Sequence, residues 1–189
     1  MKTHLIYIAI ILIILTVCYV YNIMHKEQPF VHKIVINKIA VDAANYNMCL
    51  EHIKEYEGLS LTPYELDHKQ YIGYGQQLDH TNKELLSGIT EEYAEKLLKS
   101  TFDKLLLYNA NKYHLEGKKL LAVTLLTYNI GVGKVNNEIG NELFHLKEGY
   151  NEYEKQLFRK WSNLCHFQGK KHPKLVKRRN FEINLFKCQ

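Results

Sequence analysis

The four cysteines of this 189-residue chain make no CxxC pair, and its ten histidines form no HExxH motif and no pair at metal-ligand spacing. Neither a metal nor a cofactor is therefore expected. Internal repeats and low-complexity tracts are lacking too, so the length accommodates one domain plus an appendage. No DNA- or RNA-binding signature accompanies the net charge of +5, and nucleic acid is not an expected partner. Cys18 lies inside an apolar run. The remaining Cys49, Cys165 and Cys188 permit one disulfide in an exported domain, but the sequence does not choose the pair.

Charge is missing altogether between residues 5 and 24. As a helix this stretch would span about 30 Å, the hydrocarbon thickness of a bilayer. It is apolar on every side, which suits a membrane span better than a core helix. No small-x-small cleavage site follows it, and Val17 stands where a lipobox would need a small residue before Cys18. The expected organisation is an uncleaved anchor over 1–26, a linker over 27–41 and a soluble domain over 42–189. Lys2 before the span, and Lys26 and Lys33 after it, give the positive-inside rule little to act on.

The charge that is present is divided. Residues 155–189 hold ten Lys/Arg and one acid, Glu182, whereas 27–154 hold nineteen acids against thirteen bases. Such a basic end fits either an anionic polymer or surface, or a solvated helix face.

Periodicity organises the rest. Asp42 reads as an N-cap, with Tyr46, Cys49, Leu50 and Ile53 following at helical steps and Gly58 as the stop. Pro63, Gly73 and Gly75 break the next stretch, where Tyr71-Ile72-Gly73-Tyr74 looks like a short hairpin strand. Thr90 caps a second helix that has acids in its first turn. LEGKKLLAVTLLTYNIGVGK reads as a central apolar helix stopped at Gly131 and Gly133. ELFHLKEGYNEYEKQLFRKW and HPKLVKRRNFEINLF supply further helices. The fold class is α+β, mostly helical with a minor sheet.

Glycoside hydrolysis needs a proton donor for the departing sugar oxygen and a second group for the developing cation or the attacking water. Glu57 suits the first role. It precedes a helix-ending glycine, and the carbonyl end of a helix disfavours negative charge.

IKEYEGLSLTPY followed by YIGYG resembles the start of the phage-type lysozymes, glycoside hydrolase family 24, where an EGL-x-L-x-x-Y segment leads into a T-I-G-Y-G-H hairpin. ITEEYAEKLL, then LLTYNIGVGK with Asn129, Gly131 and Gly133, then Trp161, Gly169 and LVKRRNFE are similar to later blocks of that family in the same order. In the last block Leu175, Arg178, Arg179 and Glu182 match, and Lys174 replaces a glycine. The blocks cover roughly residues 47–187.

The resemblance implies a lysozyme fold and cleavage, with inversion, of the β-1,4 bond between N-acetylmuramic acid and N-acetylglucosamine. It makes Glu57 the general acid. The family's aspartate falls on Leu66 counting forward from Glu57 and on Glu65 counting back from IGYG, with Asp67 one place beyond Leu66. This turn is one residue shorter than the commonest pattern, so either Glu65 or Asp67 supplies the second carboxylate, or neither points inward. Tyr71 replaces a threonine that helps position the attacking water, and Gln76 replaces a histidine.

The catalytic candidates are thus Glu57, Asp67 and Tyr71. The substrate-binding candidates are Tyr64, Gln76, Asn129, Arg178 and Arg179, with one arginine expected to pair with Glu57 or a neighbouring acid. The implied partners are peptidoglycan glycan strands and, through residues 5–24, the cytoplasmic membrane. A monomer with its catalytic domain on the extracytoplasmic side is expected. The altered positions also fit a domain that binds glycan, or scaffolds an envelope assembly, without cutting.

Overall fold

Two antiparallel strands, β1 (Lys33–Ile36) and β2 (Ile39–Asp42), lead into helix α1 (Ala43–Glu57). The computed structural model describes residues 32–78, 82–146, 151–167 and 169–188. The expected membrane segment lies outside them. No helix among the described residues is long and apolar enough to cross a membrane.

The β1–β2 hairpin falls in the stretch expected as a linker, yet it belongs to the same compact unit as the rest of the domain, which begins at His32. The reason is alternation. Ile34, Ile36, Ile39 and Val41 present one apolar set to the core, and Val41 is fully enclosed there. Asp42 then caps α1 as expected, its carboxylate accepting the Asn45 N–H at 2.7 Å.

Gly58 ends α1 at φ +71°, and the chain turns into strands β3 (Ser60–Leu66), β4 (Lys69–Gly73) and β5 (Gln76–Gln77), paired in that order. Asp67 and His68 form the two-residue turn between β3 and β4 with φ of +50° and +61°. Both residues of a type I′ hairpin turn have this handedness. The β3–β4 register slips between Ser60 and Tyr64, where Pro63 has no N–H to contribute to the ladder. Beneath the sheet a second small core gathers Ile72, Leu78 and Leu85.

A 3-10 turn (Lys83–Ser87) precedes helix α2 (Glu91–Tyr113), whose Thr90 cap accepts the Tyr93 N–H at 3.2 Å. Helices α3 (Gly117–Ile130), α4 (Val132–His145), α5 (Asn151–Asn163) and α6 (Pro173–Lys187) follow. The short hairpin β6 (His166–Phe167) and β7 (Lys170–Lys171) lies between the last two.

Helix α3 is the axis of the domain. Every residue from 120 to 127 is buried, with α1, α2, α4 and α6 around it. Two of those residues are threonines whose hydroxyls donate back to Leu120 O and Val123 O at 2.8 and 2.7 Å. Asn109 of α2 donates in turn to Thr127 Oγ1 at 3.0 Å, so its amide N–H and the two threonine hydroxyls are paired, whereas Asn109 Oδ1 is buried with no partner. Shortening one of the surrounding leucines, Leu121 for example, to alanine would cost roughly 2–5 kcal/mol.

Two expectations are corrected here. Gly131 (φ +83°) does stop α3, but the chain re-enters a helix at Val132, so Gly133 lies in the first turn of α4 and stops nothing. The segment ELFHLKEGYNEYEKQLFRKW contributes to two helices, the first ending at His145 and the second starting at Asn151. No disulfide forms among Cys49, Cys165 and Cys188; the first two are buried thiols.

Candidate active site

Glu57 is the last residue of α1, and its side chain remains 25% exposed. Its two carboxylate oxygens have different surroundings. Oε1 accepts a hydrogen bond from Arg178 Nη1 at 2.6 Å, a charge-assisted contact that spans the domain from α6. Oε2 looks toward the hairpin, where a Cβ built on Gly75 would lie 3.5 Å from it. Gly75 has φ +84°, so a residue without a side chain lets the backbone turn back beside the acid.

Arg178 is itself held from behind. Its Nε stands 3.7 Å from Glu182 Oε1, and its guanidinium lies over the Tyr56 ring at 5.5 Å. Glu182 has no solvent exposure. It accepts from Arg179 Nη2 at 2.6 Å and from the Trp161 indole N–H at 2.9 Å. Arg179 also donates to Asn129 Oδ1 at 2.8 Å and to Leu164 O at 3.3 Å. Burial pushes the Glu182 carboxyl up and the Arg179 guanidinium down, while their mutual attraction opposes both shifts.

The hairpin face opposite Glu57 is aromatic. Tyr64 and Tyr71 are cross-strand partners with rings stacked at 5.8 Å. Behind them Tyr128, near the end of α3, donates to Tyr74 O at 2.7 Å and accepts from Gln76 Nε2. Gln76 Oε1 in turn accepts the Tyr74 N–H at 2.8 Å. It occupies the space where a side chain on Gly73 would stand, since a Cβ there would come within 2.6 Å of that oxygen. Burial, and then the charge of Glu57, raise the hydroxyls of both Tyr64 and Tyr128.

The structure thus brings Glu57, Tyr64, Tyr71, Gln76, Asn129, Arg178 and Arg179 into one region, but in different roles from those expected. Arg178 and Arg179 are 2% and 1% exposed, too enclosed to line a sugar groove, and with Asn129 they support the acid from within. Gln76 braces the hairpin.

Asp67 is not brought in. It sits on the exposed turn, three residues and about 10 Å of strand beyond Tyr64. Glu65 pairs with Gln70, so the two-residue period turns it to the face away from Tyr64, where its ring neighbour His68 lies 3.8 Å off. The expected second carboxylate is therefore displaced by the shortened turn.

Two participants were not foreseen. Tyr128 immediately precedes Asn129 in LLTYNIG, and a tyrosine closing an apolar helix was the available signal for it. His52, one turn and a residue before Glu57, is stacked on Phe181 at 3.9 Å and meets the Tyr56 ring at a tilt of 36° and 4.6 Å. Its Nε2 has no partner, and burial together with Arg178 and Arg179 pushes it down to about 4.

A cavity of about 540 Å³, lined by Lys33, Lys38, Asn111 and His114 among others, contains none of these groups. The site is assigned by its chemistry because that cavity holds no acid clamped by a buried cation.

Among solved structures, the muramidase domain of SpmX from Asticaccaulis excentricus matches with a TM-score of 0.58 at 24% identity, over 75% of this chain and 96% of that one. At that identity the likeness speaks for a shared fold. Comparison with curated proteins gives no match. The sequence profile of the phage lysozyme family matches residues 54–182, from the helix that carries Glu57 to the glutamate that backs Arg178, and the chain belongs to that family.

Proposed function

We propose that this protein cleaves the β-1,4 bond between N-acetylmuramic acid and N-acetylglucosamine in peptidoglycan, with Glu57 as the proton donor. The observation that carries this reading is the asymmetric environment of Glu57. Oε1 is held by Arg178, and Oε2 faces a glycine-lined hairpin bearing stacked tyrosines. A fixed acid with one free oxygen, beside an aromatic surface on which a sugar ring can lie, is what leaving-group protonation requires. Tyr64 and Tyr71 would contact the glycan. Gln76 and Tyr128 would keep the hairpin at its distance from the acid.

The apolar run 5–24 supports a tether in the cytoplasmic membrane, with the domain on the extracytoplasmic side where its substrate lies. The boundaries then become an anchor over 1–26 and a domain extending back to His32. Of the ten cations after residue 154, Arg178 and Arg179 are internal. The other eight lie at or near the surface and would favour contact with an anionic wall or membrane.

The displacement of Asp67 favours a second reading, a catalytically impaired domain that binds glycan strands or scaffolds an envelope assembly. Incubation of the full chain, in detergent, with purified sacculi separates the two readings. Clearing with release of soluble muropeptides supports the enzyme. Co-sedimentation with sacculi that stay intact supports the binding domain.

A further inference from the structure

A second group of chemistry-bearing side chains lies away from the acid, at the other end of α1. Asp42 caps that helix and Glu57 closes it, and its length puts about 22 Å between the two ends. Beside the capped end the β1–β2 hairpin faces the corner where α2 passes into α3, and both line the cavity of about 540 Å³. Its polar groups converge from separate elements. Lys33 comes from β1, Lys38 from the hairpin turn, Asn111 from the last turn of α2 and His114 from the residue that caps that helix. Ile39, Ala40, Ala110 and Leu115 supply apolar wall, and Glu116 is the one acid of the lining.

Two of the donors stand on backbone that favours a different residue. Asn37 and Lys38 make a two-residue turn with φ of +47° and +74°, a turn whose second place ordinarily goes to glycine. His114 ends α2 at φ +54° and ψ +37°, again a place where glycine is the usual choice. Both strained positions carry a nitrogen-bearing side chain, and both line the cavity.

We propose that this cavity binds a phosphate group carried on a small organic substituent. Lysines act on phosphate as compact point charges, whereas bidentate recognition of a carboxylate belongs to arginine, of which the described lining has none. The Asn111 amide and the His114 imidazole add donors for the remaining phosphate oxygens. The apolar wall, and a volume within the usual range of small-molecule sites, suit carbon attached to the phosphate. Two sources share this chemistry, a soluble phosphate ester and the glycerol phosphate headgroup of an anionic phospholipid. The lipid source rests on the membrane tether proposed above. Residues 25–31 join the uncharged run to His32, a chain of at most about 30 Å, and Lys33 is the next residue.

The test follows the acylation rate of individual lysines in the full chain, held in an uncharged detergent, by mass spectrometry of the digested protein. Lys174, exposed on α6, is the internal reference. Glycerol phosphate should slow Lys33 and Lys38 severalfold and leave Lys174 unchanged, while acetate at the same ionic strength should slow none of them. Lys38→Gly puts the favoured residue into the turn, so the fold is kept while a charge is lost. The glycerol phosphate concentration that half-protects Lys33 should then rise about threefold to tenfold. Glu116→Gln removes the opposing charge from a side chain that makes no capping bond to α3, and should lower that concentration about twofold.

Transfer of the full chain into vesicles separates the sources. Protection of both lysines in phosphatidylglycerol vesicles but not in phosphatidylcholine vesicles, without soluble phosphate, assigns the site to the headgroup. Protection that needs added glycerol phosphate in either medium assigns it to a soluble ester and leaves the tether untouched. Equal protection in both kinds of vesicle is shielding by the bilayer and overturns the headgroup source. Equal protection by sulfate or acetate, which marks an adventitious ion only, overturns the site itself. So does slowing of Lys174 by the same factor, or protection in no medium. Lys33 and Lys38 that acylate far more slowly than Lys174 before any anion is added would overturn it too, because their charges are then engaged by the chain.

Discussion

Replacing Glu182 by glutamine tests whether the buried charge network supports the acid. The substitution preserves shape and removes one negative charge that stands 2.6 Å from Arg179 Nη2 and 3.7 Å from Arg178 Nε. It also creates a hydrogen-bond conflict. The carboxylate accepts from Arg179 on one oxygen and from the Trp161 indole on the other, whereas an amide has one oxygen, so its NH₂ must face one of these donors.

Removing one partner from a buried ion pair costs about 3–5 kcal/mol, a large part of the 5–15 kcal/mol that holds a domain of this size together. With a urea m-value of about 2 kcal/mol per molar, the unfolding midpoint of Glu182→Gln should fall by about 2 M. Equilibrium unfolding followed by the fluorescence of Trp161, the one tryptophan of the chain, reads this directly. A midpoint within about 0.5 M of the parent would refute the account of Glu182 as the counter-charge on which Arg178 and Arg179 depend.

Three further perturbations follow from particular contacts. His52 is pushed down to about 4 from its ordinary 6.5, so its neutral form is favoured in the folded state. Its contribution is whole above pH 6.5 and is lost as pH falls through 4, amounting to about 2 kcal/mol lost at pH 5. His52→Phe should flatten the pH 7 to pH 5 stability difference by that amount in paired urea titrations, and an unchanged difference contradicts the assignment. Gly75→Ala should cost about 1–2 kcal/mol through its positive φ. It should also lower kcat on sacculi by setting a methyl group in contact with Glu57 Oε2, where the leaving oxygen would approach, and unaltered turnover by a folded variant would count against Oε2 as the transferring atom. Gly133→Ala should raise stability by about 0.5–1 kcal/mol, because the position is helical with open space around it. A loss in thermal unfolding would restore the glycine as a required stop.

Much of the architecture was legible because it is written locally. Asp42, Gly58 and Thr90 act where cap chemistry says they should, since each works through backbone groups three or four residues away. Gly133 misled for the same reason. A glycine near a helix end looks like a stop, but Gly131 had already supplied the left-handed residue and α4 begins at once. The 33–42 hairpin falls in a stretch expected as a linker, because nothing local shows that Val41 would join the core and docking is a long-range event.

At the site, Glu57 and its pairing with one of the two arginines could be read from the resemblance to known lysozymes. The roles of Arg178 and Arg179 could not. Helical periodicity does not distinguish a charge facing a cleft from one sealed against Glu182 and Trp161. Asp67 depended on the turn's register, and a one-residue shortening moves every side chain of the hairpin relative to the acid. Tyr128 meets Gln76 and Tyr74 from across the fold, a contact of more than fifty residues' separation that leaves no local pattern.

The most direct measurement compares muropeptide release from purified sacculi by the full-length protein and by Glu57→Gln at matched folded concentration. The account predicts soluble disaccharide-peptides from the parent and none from the variant. Equal release by both, or binding without release by the parent, would contradict the assignment of Glu57 as the proton donor.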